Sequence, residues 1–555
     1  MKPSTNHSIA GLETEVNQYI SDAPDPSRLI TLKQASQWAS EFLGKEISVS
    51  NISYLIQYGK IRKYSGERNG VLVDLDDLKR YYESYNREHT FKEQLGDDLN
   101  WALSFDHLSE KDTTKHVHRL HPYKGKFVPQ LVEYFIDDHI DDYKQETYFS
   151  RGDIILDPFA GSGTTLVEAK EIGIHSIGID VSQFNCMIAN TKLADYDLDL
   201  LEQTLKDTKR ALTDFSSHSH ISKFEKELTE KLSAFNHQYF PSPDFKYQLQ
   251  KGEVDETYYG EKQAKEFLVT YDALVNKYDV DLAVGRGISF LDTWYVGNIR
   301  AEIDQGVHLI ERIEDSQIRD ALKVILSRTV RSCRATTHFD LATLKEPQLT
   351  TYYCWKHKKI CKPIFSCVSL FNRYATDTLA RLKTYDELKS DAHSVIIPGD
   401  ARHIPLMSAI KERNVELYKM IKKQKIQGIF SSPPYVGQID YHEQHAYAYE
   451  LFDFDRFDEL EIGPQYSGQG VKAREAYVKD ISDVLVNARK AMADDFHIFL
   501  VANDKWNLYP AIAERAGLRI VNQFKRPVLN RTERDKSPYS EIVFHLERGG
   551  LLDFT

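Results

Sequence analysis

The chain has 555 residues with 71 basic and 83 acidic side chains, a formal charge of −12, so its surface is not a general polycation and any nucleic-acid contact must come from local basic stretches. With 41% hydrophobic, 12% aromatic and 28% charged residues there is ample material for buried cores, which excludes a collagen-like or wholly disordered chain; the length suits several domains or one large enzyme with insertions. No run of about 18 apolar residues occurs, and the N-terminus lacks the charged start and apolar stretch of a signal peptide, so a cytoplasmic protein without membrane contact is expected.

Residues 1–29 mix Ser, Asn, Asp, Pro and Gly without periodicity and read as a flexible tail. Residues 30–90 are organised. Ile30-Thr31-Leu32 leads into an amphipathic stretch through Leu43, then Gly44. A second helical stretch follows, with Ser48 or Ser50 as N-cap and Ile52, Leu55 and Ile56 as its apolar face. Ile61–Tyr64 and Val71–Val73 read as a short two-stranded wing, and Leu75–Tyr82 as a closing helix. This order resembles the winged helix-turn-helix domains of excisionases and MerR-type regulators, which implies a second helix in a major groove and a wing on the backbone.

From residue 151 strands are predicted at Ile154–Phe159, Ser176–Asp180, Val395–Asp400, Gly428–Ser432, His497–Asn503, Arg519–Pro527 and Glu541–Glu547, with helices such as Thr165–Ile172, Ile481–Ala493 and Trp506–Ala516 between them. The alternation predicts a doubly wound α/β sheet. The last two strands are separated only by the polar loop Leu529–Ser540, which suits an antiparallel hairpin at the sheet edge. Between Asp180 and Val395 helical patterns dominate, among them Leu201–Phe215, Ile299–Glu314 and Ile318–Arg331; so long an interval predicts an inserted subdomain.

Ile154 to Asp157 run into Pro158-Phe159-Ala160-Gly161-Ser162-Gly163-Thr164-Thr165, a strand followed by a tight turn of small residues and a helix. Such a turn lets backbone N–H groups approach a polar ligand. Thr164 after Gly163 excludes a nucleotide P-loop, and Leu166 stands where a dinucleotide fingerprint has its third glycine. Asp180, at the tip of the next strand, is placed to accept hydrogen bonds from ribose hydroxyls. Further on, Gly428-Ile429-Phe430-Ser431 leads into Ser432-Pro433-Pro434-Tyr435, two prolines at a strand end bracketed by Ser and Tyr. No cysteine follows a proline, so the pattern of enzymes that methylate cytosine at C5 is absent.

Together the glycine turn and the Ser-Pro-Pro-Tyr tetrad resemble the motifs of S-adenosylmethionine-dependent amino-group DNA methyltransferases. The resemblance implies a class I methyltransferase fold, a Rossmann-like seven-stranded sheet, here with a helical insert. It implies S-adenosylmethionine as cofactor, held by Asp157, Phe159, Gly161, Ser162, Gly163, Thr164 and Asp180. It adds His121, Pro122, Lys126 and Phe127 of a His-Pro segment over the methionine end, and Asp400 near the adenine amino group. Ser432 and the carbonyl of Pro433 would accept hydrogen bonds from the target NH2, followed by Pro434, while Tyr435 stacks on a base flipped from the duplex. Ser at the first tetrad position is the usual mark of N4-cytosine enzymes, where many adenine enzymes carry Asp. An N6-adenine enzyme, an RNA amino-group methyltransferase and an inactive DNA-binding regulator are the alternatives. Double-stranded DNA and a separately encoded restriction endonuclease are the implied partners.

Residues 323–362 hold nine basic and two acidic side chains interleaved with Tyr352, Tyr353 and Trp355, a mixture suited to phosphate contact and base stacking. From this stretch Arg328, Arg331, Arg334, Lys356, Lys358 and Lys359 are expected to contact DNA, with Arg526 and Arg531 of a second basic group. Five cysteines make no disulfide framework. Cys354, Cys361 and Cys367 lie near His357, but spacers of six and five residues exceed the about two to four usual for zinc, so reduced structural thiols and no metal are expected. The expected division is a tail at 1–29, a winged module at 30–90, methyltransferase segments at 91–200 and 391–555, and a helical insert at 201–390 with target recognition as its role.

Overall fold

The structure, a computed structural model, describes residues 28–528 and 539–549 apart from 45, 58–59, 66–69, 86–98, 106–107, 109, 124, 218, 283–286, 288, 339 and 341–343. Nearly all of the expected tail, most of the loop Leu529–Ser540, and Arg531 therefore lie outside the described residues. Two compact units are present: the described part of residues 1–91 together with 237–259, and the remainder.

In the first unit, Leu29–Thr31 and Tyr64–Ser65 pair antiparallel with either side of Val71–Asp74. Helix Leu32–Leu43 begins where Thr31 forms a capping box with Gln34, and it ends at Gly44, whose φ of 63° is a left-handed cap. Helix Val49–Gln57 follows; Ser48 and Asn51 exchange side-chain to backbone hydrogen bonds of 2.9 and 3.2 Å, so Ser48 rather than Ser50 is the cap. Ala35, Ala39, Ile52, Ile56, Val73 and Leu78 form the core. Residues 237–259 bond to this unit through Lys246 Nζ, which donates to the Gln57 carbonyl at 2.5 Å, and through the Tyr247 hydroxyl, which donates to the Ile61 carbonyl.

The second unit is built on a seven-stranded sheet: β1 Ile154–Asp157, β2 His175–Asp180, β3 Ser394–Pro398, β4 Ile426–Ser431, β5 Met492–Ala502, β6 Leu518–Pro527 and β7 Ser540–Arg548. Their spatial order is β6-β7-β5-β4-β1-β2-β3. All neighbours from β5 to β3 are parallel, and β7 lies antiparallel between β5 and β6. The largely parallel sheet with one antiparallel strand fits a class I methyltransferase.

Alternation within strands divides the core between the two faces. Ile154, Leu156, Ile429, Ile498 and Leu500 join one cluster, and Ile155, Phe430, Phe499 and Val501 the other. Helices cover both faces, which explains why these strands read as nearly unbroken apolar runs.

The long interval between β2 and β3 differs from the subdomain expected of it. Apart from 237–259 it belongs to the same compact unit as the sheet. Helix Ser316–Ser332 buries Ala321, Leu322, Val324, Ile325 and Leu326, packing on Gln183–Leu193 on one side and Val368–Leu388 on another. Helix Val368–Leu388 is tied back to the catalytic half by Arg381, which donates to the His116 carbonyl at 2.9 Å. The interval, in which helical patterns were expected to dominate, also contains strands, an antiparallel hairpin of Tyr352–Cys354 and Lys359–Cys361.

Candidate active site

The chain runs from β1 outward to β2 and β3, then crosses to β4 on the other side of β1. That reversal opens a crevice at the carboxyl ends of β1 and β4, where ligands of doubly wound sheets bind. A cleft lies there, lined by Asp157, Phe159, Gly161, Ser162, Thr164, Asp180, Asp400, Ser432 and Pro434, with Tyr123, Lys126 and Phe127 from the preceding segment.

Asp157 ends β1 fully buried. Its Oδ1 accepts a hydrogen bond from the Ser431 hydroxyl at 2.5 Å and one from the Phe159 N–H at 3.1 Å. Burial outweighs these bonds and pushes its pKa up to about 6. Gly161 and Gly163 have φ of 50° and 78°, and a Cβ on Gly163 would lie 2.8 Å from that of Ala189, so this turn requires glycine in both conformation and space. Gly163 caps helix Thr164–Ile172 from behind the cleft. Asp180 holds the turn in place: its carboxylate accepts from the Gly161 and Ser182 N–H groups at 2.9 Å each and from Asn185 Nδ2 at 3.0 Å. Burial raises its pKa all the same. Asp400 accepts from Arg402 Nε at 2.9 Å, and Arg402 also pairs with Asp480 at 3.1 Å.

The His-Pro segment divides. Lys126 and Phe127 reach the cleft; Lys126 donates to the His118 carbonyl at 2.6 Å, and burial lowers its pKa to about 8. His121 and Pro122 do not reach it, contrary to expectation. His121 is buried, its Nδ1 3.0 Å from the Pro122 carbonyl and its Nε2 3.2 Å from the Tyr447 hydroxyl, while Pro122 is exposed at a different cavity. Tyr123 takes the place at the cleft expected of them.

At the end of β4, Ser432 and Pro434 face the cleft while Pro433 is buried behind them. Tyr435 packs at the edge of the core, and its hydroxyl donates to Glu541 Oε1 at 2.8 Å. The other oxygen of Glu541 pairs with Arg526 at 2.9 Å, and Arg526 Nε donates to the Leu103 carbonyl at 2.9 Å. Arg526 is 3% exposed, so it belongs to this buried relay and not to a surface for DNA. Glu541 was missed in the sequence. Its signal was present, an acid on a strand opposite a basic residue, but it becomes readable only once β6 and β7 are paired with Arg526 against Glu541.

The first basic stretch also separates. Arg328 is committed to Asp377 at 2.8 Å and lies over the Tyr374 ring, so it braces two helices. Arg334 is buried, with Nε donating to the Arg331 carbonyl at 2.9 Å. Both depart from the expected solvent-facing role: the helix Ser316–Ser332 that carries Arg328 is covered on most of its circumference, and Arg334 is buried just past its end. Arg331 and Arg334 line a polar cavity of about 520 Å³ with Pro122, Tyr123, Gln438 and Glu443, adjoining the segment after the tetrad. Lys356 and Lys359 are exposed on the hairpin, where Lys358 lies 5.6 Å from the Trp355 ring. On the same hairpin Cys354, His357 and Cys361 come together with His338, whereas Cys367 is buried elsewhere, at the start of helix Val368–Leu388.

Comparison with known proteins places this geometry in context. The N6/N4 methyltransferase family, described as DNA methylase, matches residues 45–191. The type II methyltransferase M.MjaII of Methanocaldococcus jannaschii is 47% identical over 532 residues, covering 95% of this chain and 98% of the relative. M.BsoBI of Geobacillus stearothermophilus is 35% identical over 131 residues, 23% of this chain and 22% of the relative. M.MvaI of Kocuria varians is 26% identical over 130 residues, 23% and 26% of the respective chains. The last two are also type II methyltransferases.

Proposed function

The chain belongs to the type II DNA methyltransferases of the amino-group class, and from that premise we propose that it methylates the exocyclic N4 of cytosine in duplex DNA. These enzymes use S-adenosylmethionine, whose sulfonium supplies an electrophilic methyl group. The cleft residues fit such a cofactor. Asp180 and Asp400 offer carboxylate acceptors at the ends of neighbouring strands, the glycine turn leaves room for close approach, and Phe127, Phe159 and Tyr123 supply apolar walls.

The observation that carries the reading is that Ser432 and Pro434 open on the same cleft as Asp157, Asp180 and Asp400. An exocyclic amino nitrogen is a poor nucleophile because its lone pair is delocalised into the ring. Ser432 Oγ and the Pro433 carbonyl accept its two N–H groups, draw the nitrogen toward tetrahedral geometry and free the lone pair for in-line attack. The Tyr435 ring, fixed through its hydroxyl to Glu541 and Arg526, receives the flipped base by stacking. Serine at the first tetrad position supports cytosine over adenine. Helix Val49–Gln57, with Ser50, Asn51, Ser53 and Tyr54 exposed, has the polar face a major-groove helix needs, and Lys356 and Lys359 suit phosphate contact. A separately encoded cognate endonuclease is the partner of this reading and the cytoplasm its place; among the described residues no helix is long and apolar enough to cross a membrane.

The test is methylation of duplex DNA with labelled cofactor, followed by nucleoside digestion and mass spectrometry. N4-methylcytosine is the expected product. N6-methyladenine would overturn the choice of base, and methylation of tRNA with none of duplex DNA would overturn the choice of substrate.

A further inference from the structure

The hairpin of Tyr352–Cys354 and Lys359–Cys361 has two strands of three residues each. A pair this short is marginal by its own ladder alone and calls for a further staple. Part of it comes from Asn236, whose side chain exchanges two hydrogen bonds, of 2.9 and 3.0 Å, with the backbone of Ile360. That fixes one strand, and the Lys358 N–H closes the turn of residues 355–358 by donating to the Cys354 carbonyl at 2.7 Å.

Four side chains converge at the hairpin. Cys354 closes the first strand, His357 sits in the turn, Cys361 closes the second strand, and His338 arrives from the segment after helix Ser316–Ser332. One ligand atom from each lies within 4.8 Å of the other three. Cys354 and Cys361 are 1% and 7% exposed and are not joined as a disulfide. The imidazoles of His338 and His357 are 4.4 Å apart between centroids, and His357 Nδ1 is 3.4 Å from Cys361 Sγ.

We propose that His338, Cys354, His357 and Cys361 form a structural zinc site. Two thiolates and two imidazoles are the donor set that suits zinc in closed tetrahedral sites. With Zn–S of about 2.3 Å and Zn–N of about 2.0–2.1 Å, neighbouring ligand atoms of a tetrahedron lie roughly 3.5 Å apart, close to the separation of His357 from Cys361. The Tyr352 hydroxyl lies 2.8 Å from His338 Nδ1 and accepts from the His338 N–H at 3.1 Å. It thereby holds that ring against the hairpin, with the same nitrogen 3.8 Å from Cys354 Sγ. On binding, each cysteine gives up its thiol proton to solvent, and two thiolates balance the charge of Zn²⁺. His338 lies sixteen residues from Cys354, which is why the cysteine spacing by itself argued against a metal.

Two other clusters of metal-ligating type exist among the described residues. In one, His116, His118, Glu168 and Glu171, Lys115 already fills the centre at 2.9 Å from both glutamates. The other, His497, His545 and Glu547, offers three ligands without a thiolate. The hairpin site would hold Trp355 and Lys356 of the turn and Lys359 of the second strand in one rigid hairpin.

Full-length protein from zinc-supplemented cells, dialysed against metal-free buffer, should carry close to one zinc per chain by mass spectrometry. Titration with a mercurial in the presence of a chromogenic zinc indicator should release it as the thiols react. Cys354→Ser with Cys361→Ser should lower the content at least tenfold, whereas Cys333→Ser should retain it. The unmutated protein reloaded with Co²⁺ gives a reading that does not depend on whether the double variant folds: intense tetrahedral absorption with sulfur-to-cobalt charge transfer. Zinc below a tenth of an equivalent, an octahedral cobalt spectrum, or full zinc in the double variant would each overturn the site.

Discussion

Asp157→Asn should separate stability from cofactor binding. Asp157 is fully buried, and its pKa is raised from the ordinary 3.8 to about 6, with burial the largest cause and the bonds from Ser431, Thr165 and Phe159 opposing it. A carboxyl held above its unfolded value is still protonated in the folded chain where the unfolded chain has ionised. Stability from this group is therefore full below about pH 4, falls as pH rises toward 6, and stays reduced above that. At about 1.4 kcal/mol per pH unit, the interval corresponds to roughly 3 kcal/mol at neutral pH.

Asparagine removes the ionisation and keeps an oxygen to accept from Ser431 and Phe159. The cofactor-free variant should then be more stable than the unaltered chain by about 3 kcal/mol at pH 7.5, a rise in Tm of about 3 °C for a unit this large. The advantage should shrink steadily as pH falls toward 4.5. Thermal unfolding across that pH range measures it, and calorimetry with S-adenosylmethionine should show the affinity lost. A variant no more stable than the parent at pH 7.5 would refute the assignment of a buried, costly carboxylate.

Tyr435→Phe, which keeps the ring but loses the bond to Glu541, should lower kcat about tenfold, while Tyr435→Ala should lower it at least about 100-fold, both with cofactor affinity unchanged in calorimetry. Equal activities for Ala and Phe would show that the ring does not hold the base. Arg526→Leu leaves Glu541 without its buried partner and should cost about 3–5 kcal/mol in thermal unfolding, partly recovered by adding Glu541→Leu; no cost would mean the relay is not closed. Charge reversal of Lys356 and Lys359 should make the slope of log affinity against log salt shallower by about 1.8 in DNA titrations, at about 0.9 per phosphate contact. An unchanged slope would remove the hairpin from the DNA surface.

All seven strands, the glycine turn and the tetrad were legible in the sequence because they depend on near neighbours. Apolar runs bounded by turn residues produce strands between covering helices, and Gly161 and Gly163 permit a backbone that other residues resist. The order of those motifs along the chain was enough to expect Asp157, Asp180, Asp400 and Ser432 on one cleft. Which charges face solvent was not legible. Arg526 stands among Lys525, Arg531 and Arg534 in the chain, yet the register of β6 on β7 sets it beside the partly buried Glu541 and buries it. Arg328 and Arg334 look like cations free for DNA until Arg328 pairs with Asp377 of a neighbouring helix and Arg334 is buried past the end of its own.

Distance along the chain explains the difference. Alternation, turns and caps are set within a few residues, so the sequence by itself determined the elements and the motif that ends each strand. The partner of a buried charge or thiol is chosen by whatever packs against it. Ser431 meets Asp157 across 274 residues, and His338 meets Cys354 across sixteen. Burial makes those pairings costly to leave unmet, and only the tertiary structure decided them.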